Sequence, residues 1–263
     1  MSDGLATMRE QVYRDPRPPE YFDRFHERSR SKQPDWIYDA VRVLMTTYSY
    51  LFFRMRPIAA ENVPASGPAI IAPNHFSYMD HFFSGAGIRR KIRFMGKSQL
   101  FKGAMGYVYS HGGVFPVRRG ARDEAPFVTA RTILDDGGVV AMYPEGGRSR
   151  TGRLAAAAKP GIGRLALETG APIVPVAIFG SSKVRNWKRL QFPSVTVQYG
   201  RPIAFERVEH PTRGQMQAVA DQIFAEIRLL YGELERTGRR SVIARIREQR
   251  RDERRRRGPA AAA

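Results

Sequence analysis

The chain has no cysteine. That excludes disulfides, a thiol nucleophile and any cysteine-ligated metal, and it leaves the redox compartment open, a reducing one being compatible. Acidic residues are few beside basic ones: Asp and Glu total 25 against 44 Lys and Arg, a formal net charge of +19, with Arg far outnumbering Lys. Such an excess fits an anionic partner or substrate, and nucleic acid, an acidic membrane surface and phosphorylated substrates all answer to it. Long apolar runs are missing too. The most apolar stretch, Trp36 to Ile58, is broken by Asp39, Arg42, Arg54 and Arg56. Its unbroken part, Val43 to Phe53, is about half of the roughly 20 residues that a spanning helix needs. A membrane span is therefore not expected, while a helix lying along a membrane is compatible. Met1 to Glu10 carries Asp3 and Glu10 and no apolar core, unlike a secretory signal. There is no internal repeat and no Gly-x-Ser-x-Gly elbow.

What is present suits one large domain with appendages: 263 residues, 42% hydrophobic, enough to bury a core. Residues 1–33 are polar and punctuated by proline, as in Asp15-Pro16-Arg17-Pro18-Pro19, and read as a loosely held arm whose Tyr21, Phe22 and Phe25 are available to dock. Residues 34–60 read as an amphipathic helix from Asp35 to about Met55, presenting Trp36, Val43, Leu44, Tyr48, Leu51, Phe52 and Phe53. Two readings stand for it, an interfacial helix in the headgroup region and a core helix packed on the domain, and one helix can be both.

Residues 61–235 form the main domain. Strands are expected at 69–73, 92–95, 114–117, 139–143, 173–179 and 194–199, and helices at 78–89, 98–109, 123–135, 161–168 and 212–231. That alternation predicts an α/β fold with a mixed, partly parallel central sheet flanked by helices, its ligand beyond the carboxyl ends of the strands. Residues 236–263 are an Arg-rich tail. Its Val242, Ile243 and Ile246 are too few to bury much surface, which predicts a solvated or surface-seeking helix.

The chemistry concentrates on Asn74-His75-Phe76-Ser77-Tyr78-Met79-Asp80, at a strand-to-helix turn. Within one helix His75 and Asp80 would lie roughly 140° apart. With His75 in the turn and Asp80 in the first helical turn, the carboxylate reaches an imidazole nitrogen, sets the tautomer and leaves the other nitrogen as a general base. Ser77 reads as the helix N-cap, with Asp80 three residues on; a capping Asp beside an incidental His would account for the same residues without catalysis. Ser77 as a nucleophile and a metal site of His75, Asp80 and His81 are rival readings, the second opposed by the divergence of residues 80 and 81 on a helix.

Three further segments follow later strands: Gly113-Val114-Phe115-Pro116-Val117-Arg118-Arg119, Tyr143-Pro144-Glu145-Gly146-Gly147-Arg148-Ser149-Arg150-Thr151-Gly152, and Ala171-Pro172-Ile173-Val174-Pro175-Val176. Glycines let backbone approach a ligand, and guanidinium forks match phosphate oxygens.

Together the four segments, in order over residues 74–176, resemble the sequence blocks of the glycerolipid acyltransferases typified by 1-acyl-sn-glycerol-3-phosphate (lysophosphatidate) acyltransferase. Gly147 stands where that family usually has Thr. Pro116 and Arg118 replace an apolar and an acidic residue, so Arg118 competes with Arg119 for the place of the family arginine. The resemblance implies that His75 and Asp80 are catalytic, transferring a fatty acyl group from an acyl thioester directly to the hydroxyl of lysophosphatidate to give phosphatidate. It implies Lys97, Arg119, Glu145, Gly146 and Arg148 as the substrate-binding residues. Neither cofactor nor metal is implied, acyl-CoA or acyl carrier protein being a co-substrate. Anionic membrane lipids are the expected partners, at the cytoplasmic face of the cell membrane, with peripheral or monotopic attachment. The same blocks serve another lysolipid, glycerol phosphate or a glycolipid as acceptor, and neither acyl chain length nor oligomeric state is legible. The non-enzyme alternative is a basic nucleic-acid-binding protein. Against it, the basic residues of the main domain sit in glycine- and glutamate-bearing loops, not on a recognition helix or an aromatic-laced sheet, and no specific nucleic acid is expected.

Overall fold

A computed structural model describes residues 14–120, 123–184 and 190–257. Residues 1–13 of the expected arm and 258–263 of the expected tail lie outside the described residues. Among the described residues seven strands form one sheet: β1 (Arg56–Ile58), β2 (Ala69–Pro73), β3 (Ile92–Lys97), β4 (Val114–Val117), β5 (Val139–Ala141), β6 (Ile173–Phe179) and β7 (Thr196–Tyr199), in the spatial order β1-β7-β6-β2-β5-β3-β4. From β6 to β4 every pairing is parallel; β7 runs antiparallel to β6, and β1 parallel to β7. The α/β class and the mixed sheet are as the sequence predicts. Strand β1 was not foreseen, because its three residues look like the tail of the helix before them.

The apolar runs lack alternation because both faces of the sheet are covered. Ala69, Ile71, Val139, Ala141, Val174 and Val176 face one layer. That layer holds α2 (Trp36–Phe53) and α3 (Asp80–Ala86), which contribute Phe53 and Phe83. Ile70, Ala72, Val140 and Ile173 face the other, made by α5 (Ala125–Asp135), α6 (Gly161–Thr169) and α7 (Arg213–Arg257), with Leu134, Ile162, Leu165, Ile223 and Phe224. Pro116 lies in β4, an edge strand, where a missing N–H is tolerated. The segment expected as one helix over 98–109 divides into a 3-10 turn, Ser98–Leu100, and α4 (Gly103–His111), separated by the fully buried Phe101.

Two appendages are more tightly held than their composition suggests. Within 1–33, Pro19–Phe22 forms a 3-10 turn and Asp23–Ser31 forms α1. Phe22 and Phe25 are buried against Phe101, and the buried Arg93 of β3 donates to Ser29 O at 3.2 Å and Lys32 O at 2.7 Å. Three aromatics and one arginine thus anchor a stretch whose average composition is polar. At the other end, α7 is broken at Gly238, which sits at φ 73°, ψ 163°. Arg245 forks onto Glu233 at 2.5 and 2.8 Å, although twelve residues of unbroken helix would separate them by about 18 Å. The chain therefore folds back, and Val242 is fully buried with Leu234, Ile58 and Ala177 over the β1 edge. The few apolar side chains of the tail suffice because they cover a three-residue edge strand, not a whole sheet.

Helix α2 is capped by Asp35, whose carboxylate accepts from Ile37 N at 3.0 Å. Ile37, Tyr38 and Phe53 are buried on its inner side, while Trp36, Val43, Leu44 and Leu51 are each about two-thirds exposed or more (72%, 67%, 67% and 68%). Among the described residues no helix is long and apolar enough to cross a membrane.

The packing of α6 on α7 yields a direct test. A Cβ on Gly163 would lie 1.8 Å from Met216 O, a clash that only backbone movement relieves. Gly163→Ala is expected to cost about 3 kcal/mol or more, roughly 6–12 °C in melting temperature. Gly214→Ala, where a Cβ meets nothing within 4 Å, is expected to be neutral or to stabilise by up to about 1 kcal/mol. Thermal unfolding of the two variants by circular dichroism separates them; equal melting would rule out this helix contact.

Candidate active site

The site forms where β2 ends. Asn74 continues the β2–β6 ladder through its side chain: Oδ1 accepts from Ile178 N at 2.7 Å and Nδ2 donates to Ile178 O at 3.2 Å. Those bonds fix the residue before His75, so the imidazole leaves the sheet from a defined point. The chain then turns back on itself around Asp80, which is 0% exposed. Asp80 Oδ2 accepts from His75 Nδ1 at 3.0 Å, from Phe76 N at 2.6 Å and from Ser77 N at 2.8 Å, and Oδ1 accepts from Ser77 Oγ at 3.1 Å. With Nδ1–H committed to Asp80, Nε2 carries the lone pair. Tyr143 stacks on the ring, centroids 3.9 Å apart and planes 18° apart, which holds it flat and dry.

Ser77 is not the helix cap. Helix α3 begins at Asp80, its cap position is Met79, and no side chain caps it. Ser77 Oγ instead accepts from Met79 N at 3.1 Å, bracing the turn. Buried and engaged on both sides, Ser77 is poorly placed to act as a nucleophile. The same four donors occupy the Asp80 carboxylate, which removes the geometric basis for a metal shared with His81.

His75 lines a cavity of about 560 Å³. Val41 and Met45 of α2, Phe82 of α3, Phe94 of β3 and Val108 of α4 supply apolar wall, and Lys97, Arg119 and Arg148 line it as well. Burial holds the His75 pKa below its ordinary value despite the Asp80 hydrogen bond, and the positive charges of Arg148 and Arg119 push in the same direction. Burial and those same two arginines lower the Lys97 pKa. His81, also on the cavity wall, is pushed down to about 4, mainly by burial. At neutral pH both imidazoles are therefore uncharged, facing a cationic patch.

Of the residues singled out in the sequence, the structure brings His75, Asp80, Lys97, Arg119 and Arg148 together. Glu145 and Gly146 it places behind them, outside the cavity lining. Glu145 Oε1 accepts from His75 N at 2.7 Å and Oε2 from Ala155 N at 3.3 Å. Gly146 takes a left-handed φ of 69° in the turn closed by its N–H to Tyr143 O at 3.0 Å, where a Cβ would press on Lys159. Ser149 N donates to His75 O at 2.8 Å. The Tyr143–Gly152 loop thus grips His75 by both backbone groups. Asn74 and Tyr143 lay inside the quoted segments with no role assigned; the α2 wall of the cavity had no sequence signal, since only the fold brings residues 41 and 45 over residue 75.

The α/β fold and these blocks are similar to those of acyltransferases. Residues 55–179 match the family model described as acyltransferase. Over 139 residues the chain is 30% identical to the chloroplastic 1-acyl-sn-glycerol-3-phosphate acyltransferase LPAT1 of Arabidopsis thaliana, covering 51% of this chain and 38% of that protein. Over 178 residues it is 26% identical to the 1-acyl-sn-glycerol-3-phosphate acyltransferase of Bacillus subtilis (strain 168), covering 66% of this chain and 87% of the relative. The crystal structure of the 1-acyl-sn-glycerophosphate (LPA) acyltransferase PlsC from Thermotoga maritima shares the fold, with a TM-score of 0.55 and 22% identity over 80% of this chain and 89% of that one. The matches span 38% and 40% of the length of the two plant relatives, from Arabidopsis thaliana and Brassica napus. These likenesses are to acyltransferases, over about half of the chain.

Burial raises the Glu145 carboxyl from its ordinary 4.5 to about 7, against the pull of its two N–H donors. A carboxyl raised on folding binds more protons folded than unfolded between those values, so its contribution to stability falls as pH rises from about 4.5 to about 7. Glu145→Gln removes that slope. Its stability relative to wild type is expected to improve by about 2–3 kcal/mol across the window, measured by urea unfolding at several pH values; parallel curves would place the titration elsewhere.

Proposed function

We propose that this protein transfers a fatty acyl group from an acyl thioester, acyl-CoA or acyl carrier protein, to the free hydroxyl of lysophosphatidate, giving phosphatidate for phospholipid synthesis. The observation that carries the reading is the opening of the His75–Asp80 pair onto one cavity that combines apolar walls with Lys97, Arg119 and Arg148. An acyl chain suits the walls, and a phosphate monoester suits the cations. The cations favour a phosphate-bearing acceptor over a neutral glycolipid.

In this mechanism His75 Nε2 takes the acceptor hydroxyl proton as the oxygen attacks the thioester carbonyl. The tetrahedral intermediate collapses by breaking the C–S bond, and the imidazolium returns the proton to the departing thiolate. Asp80 orients the ring and stabilises the transient imidazolium. Lys97, Arg119 and Arg148 hold the phosphate. Glu145 and Gly146 act as positioning residues, through the backbone of the loop that grips His75. No covalent enzyme intermediate is required, in keeping with a buried Ser77 and the absence of cysteine. The exposed apolar stripe of α2 supports peripheral attachment to a membrane, at the cytoplasmic face where acyl thioesters are available.

The test is thiol release from a labelled long-chain acyl-CoA with lysophosphatidate, wild type beside His75→Ala, with the lipid product followed. Wild type is expected to form phosphatidate and His75→Ala to lose at least about 10²-fold in kcat without loss of fold; a variant that keeps most of the transfer would sink the general-base role. Because the His75 pKa is lowered, the base stays unprotonated below the ordinary histidine value. The acid limb of the kcat/KM profile, which reports the free enzyme, is expected below pH ~6.5, and a limb well above it would contradict the assignment.

A further inference from the structure

The second limb of α7, after Gly238, carries a feature that the candidate site does not use. Arg240, Arg247, Arg251, Arg254 and Arg255 are all exposed. At about 100° and 1.5 Å per residue they form one stripe, roughly 100° wide and about 22 Å long. None enters an ion pair among the described residues; the arginines of this limb that do, Arg245 with Glu233 and Arg250 with Glu61, point elsewhere around the helix. The acids Glu248 and Asp252 lie on one flank, outside the stripe. Arg247, Arg251 and Arg255 follow at i, i+4, where like charges repel and weaken a helix. A repulsive row kept on a packed limb is satisfied by an extended polyanionic surface.

We propose that this stripe is a docking face for the acidic phospholipid headgroups of a bilayer, acting beside the apolar stripe of α2. Continuity places the two together. Arg239, the first residue of the limb, donates from Nη1 to the carbonyl of Arg54, the C-cap of α2, at 3.1 Å. The basic stripe thus starts where the helix bearing Trp36, Val43, Leu44 and Leu51 ends. A single-stranded nucleic acid fits less well, because Arg239 to Arg257 contains no aromatic residue on which a base would stack. Charge gives the limb a selectivity that α2 lacks: an apolar stripe binds any bilayer, whereas an arginine row binds a negatively charged one and responds to its composition and to salt.

The choice of a lipid surface rests on the acyltransferase reading of the site, so binding and turnover are measured apart. Binding is read by flotation of the full chain, without substrate, on phosphatidylcholine vesicles and on vesicles one-third phosphatidylglycerol. Turnover is read on lysophosphatidate dispersed in detergent. Replacing Arg240, Arg247, Arg251, Arg254 and Arg255 by Gln leaves Val242, Arg239, Arg245 and Arg250 in place, and with them the packing of the limb. That variant is expected to lose at least about tenfold in partitioning to acidic vesicles, with binding to neutral vesicles and detergent turnover unchanged. Five Lys replacements are expected to retain binding. Equal binding of wild type and the Gln variant overturns the proposal, as does single-stranded RNA binding that falls in the Gln variant while vesicle binding does not. A salt series on the unaltered protein decides the matter even if the Gln variant misfolds: acidic-vesicle binding that persists undiminished at roughly 0.5 M salt excludes an electrostatic face.

Discussion

The arrangement hangs on one buried carboxylate. Asp80 is closed off from solvent and collects an imidazole N–H, two backbone N–H groups and a hydroxyl. Burying a charge is costly unless hydrogen bonds replace its hydration, and here four donors from residues 75 to 77 do so. The compensation has a structural consequence: the donors reach one carboxylate only if the chain reverses within five residues, so burying the Asp80 carboxylate and forming the turn are the same event. The imidazole is oriented because it is one of the ligands of that charge. An arrangement in which Asp80 served only as a helix cap would not need the imidazole at all.

The sheet supplies the second constraint. Its two-sided burial leaves the loops at the carboxyl ends of β2, β3, β4 and β5 as the places where polar side chains gather, and these deliver His75, Lys97, Arg119 and Arg148 in turn. Asn74 makes the join rigid. By satisfying both backbone groups of Ile178 with its side chain, it extends the ladder one residue past Pro73. The other side of the grip is Glu145, whose carboxyl receives the His75 N–H at 2.7 Å. The catalytic candidate is therefore held through Asn74 from β6, by its own backbone from the Tyr143–Gly152 loop, and by its ring from Asp80 and Tyr143.

Much of this was legible along the chain, for identifiable reasons. Strands β4 and β6 fall at 114–117 and 173–179 as expected, since short runs rich in β-branched and aromatic residues, bounded by glycine or proline, are local signals even with Pro116 and Pro175 inside them. The turn linking His75 and Asp80 was legible because its chemistry lies within six residues. Glu145 stands among the expected substrate ligands only through the family resemblance; that its oxygens meet the N–H groups of residues 75 and 155 depends on how two loops meet across the sheet, and no local pattern encodes it. The arm and the tail misled in the same way. Their mean composition is polar, yet Phe22, Phe25 and Val242 each fall on a small complementary surface, around Phe101 in one case and along the β1 edge in the other. Composition averages over residues, whereas docking depends on a few.

The electrostatics of the cavity couple binding to base strength. Burial holds the His75 pKa down and the charges of Arg148 and Arg119 add to it, which keeps the imidazole neutral but also makes it a weaker base. On the proposed reading these cations receive the acceptor phosphate, whose negative charge offsets theirs at close range in a poorly hydrated site. Their effect on His75 then shrinks and its proton affinity rises once the acceptor is in place. Asp80, already fully engaged, stabilises the imidazolium that follows. The base would thus be weak in the empty cavity and stronger beside a bound phosphate, so the groups that recognise the acceptor also time the proton transfer. An uncharged acceptor of the same shape would occupy the cavity without that gain, and its disadvantage would appear in kcat as well as in binding.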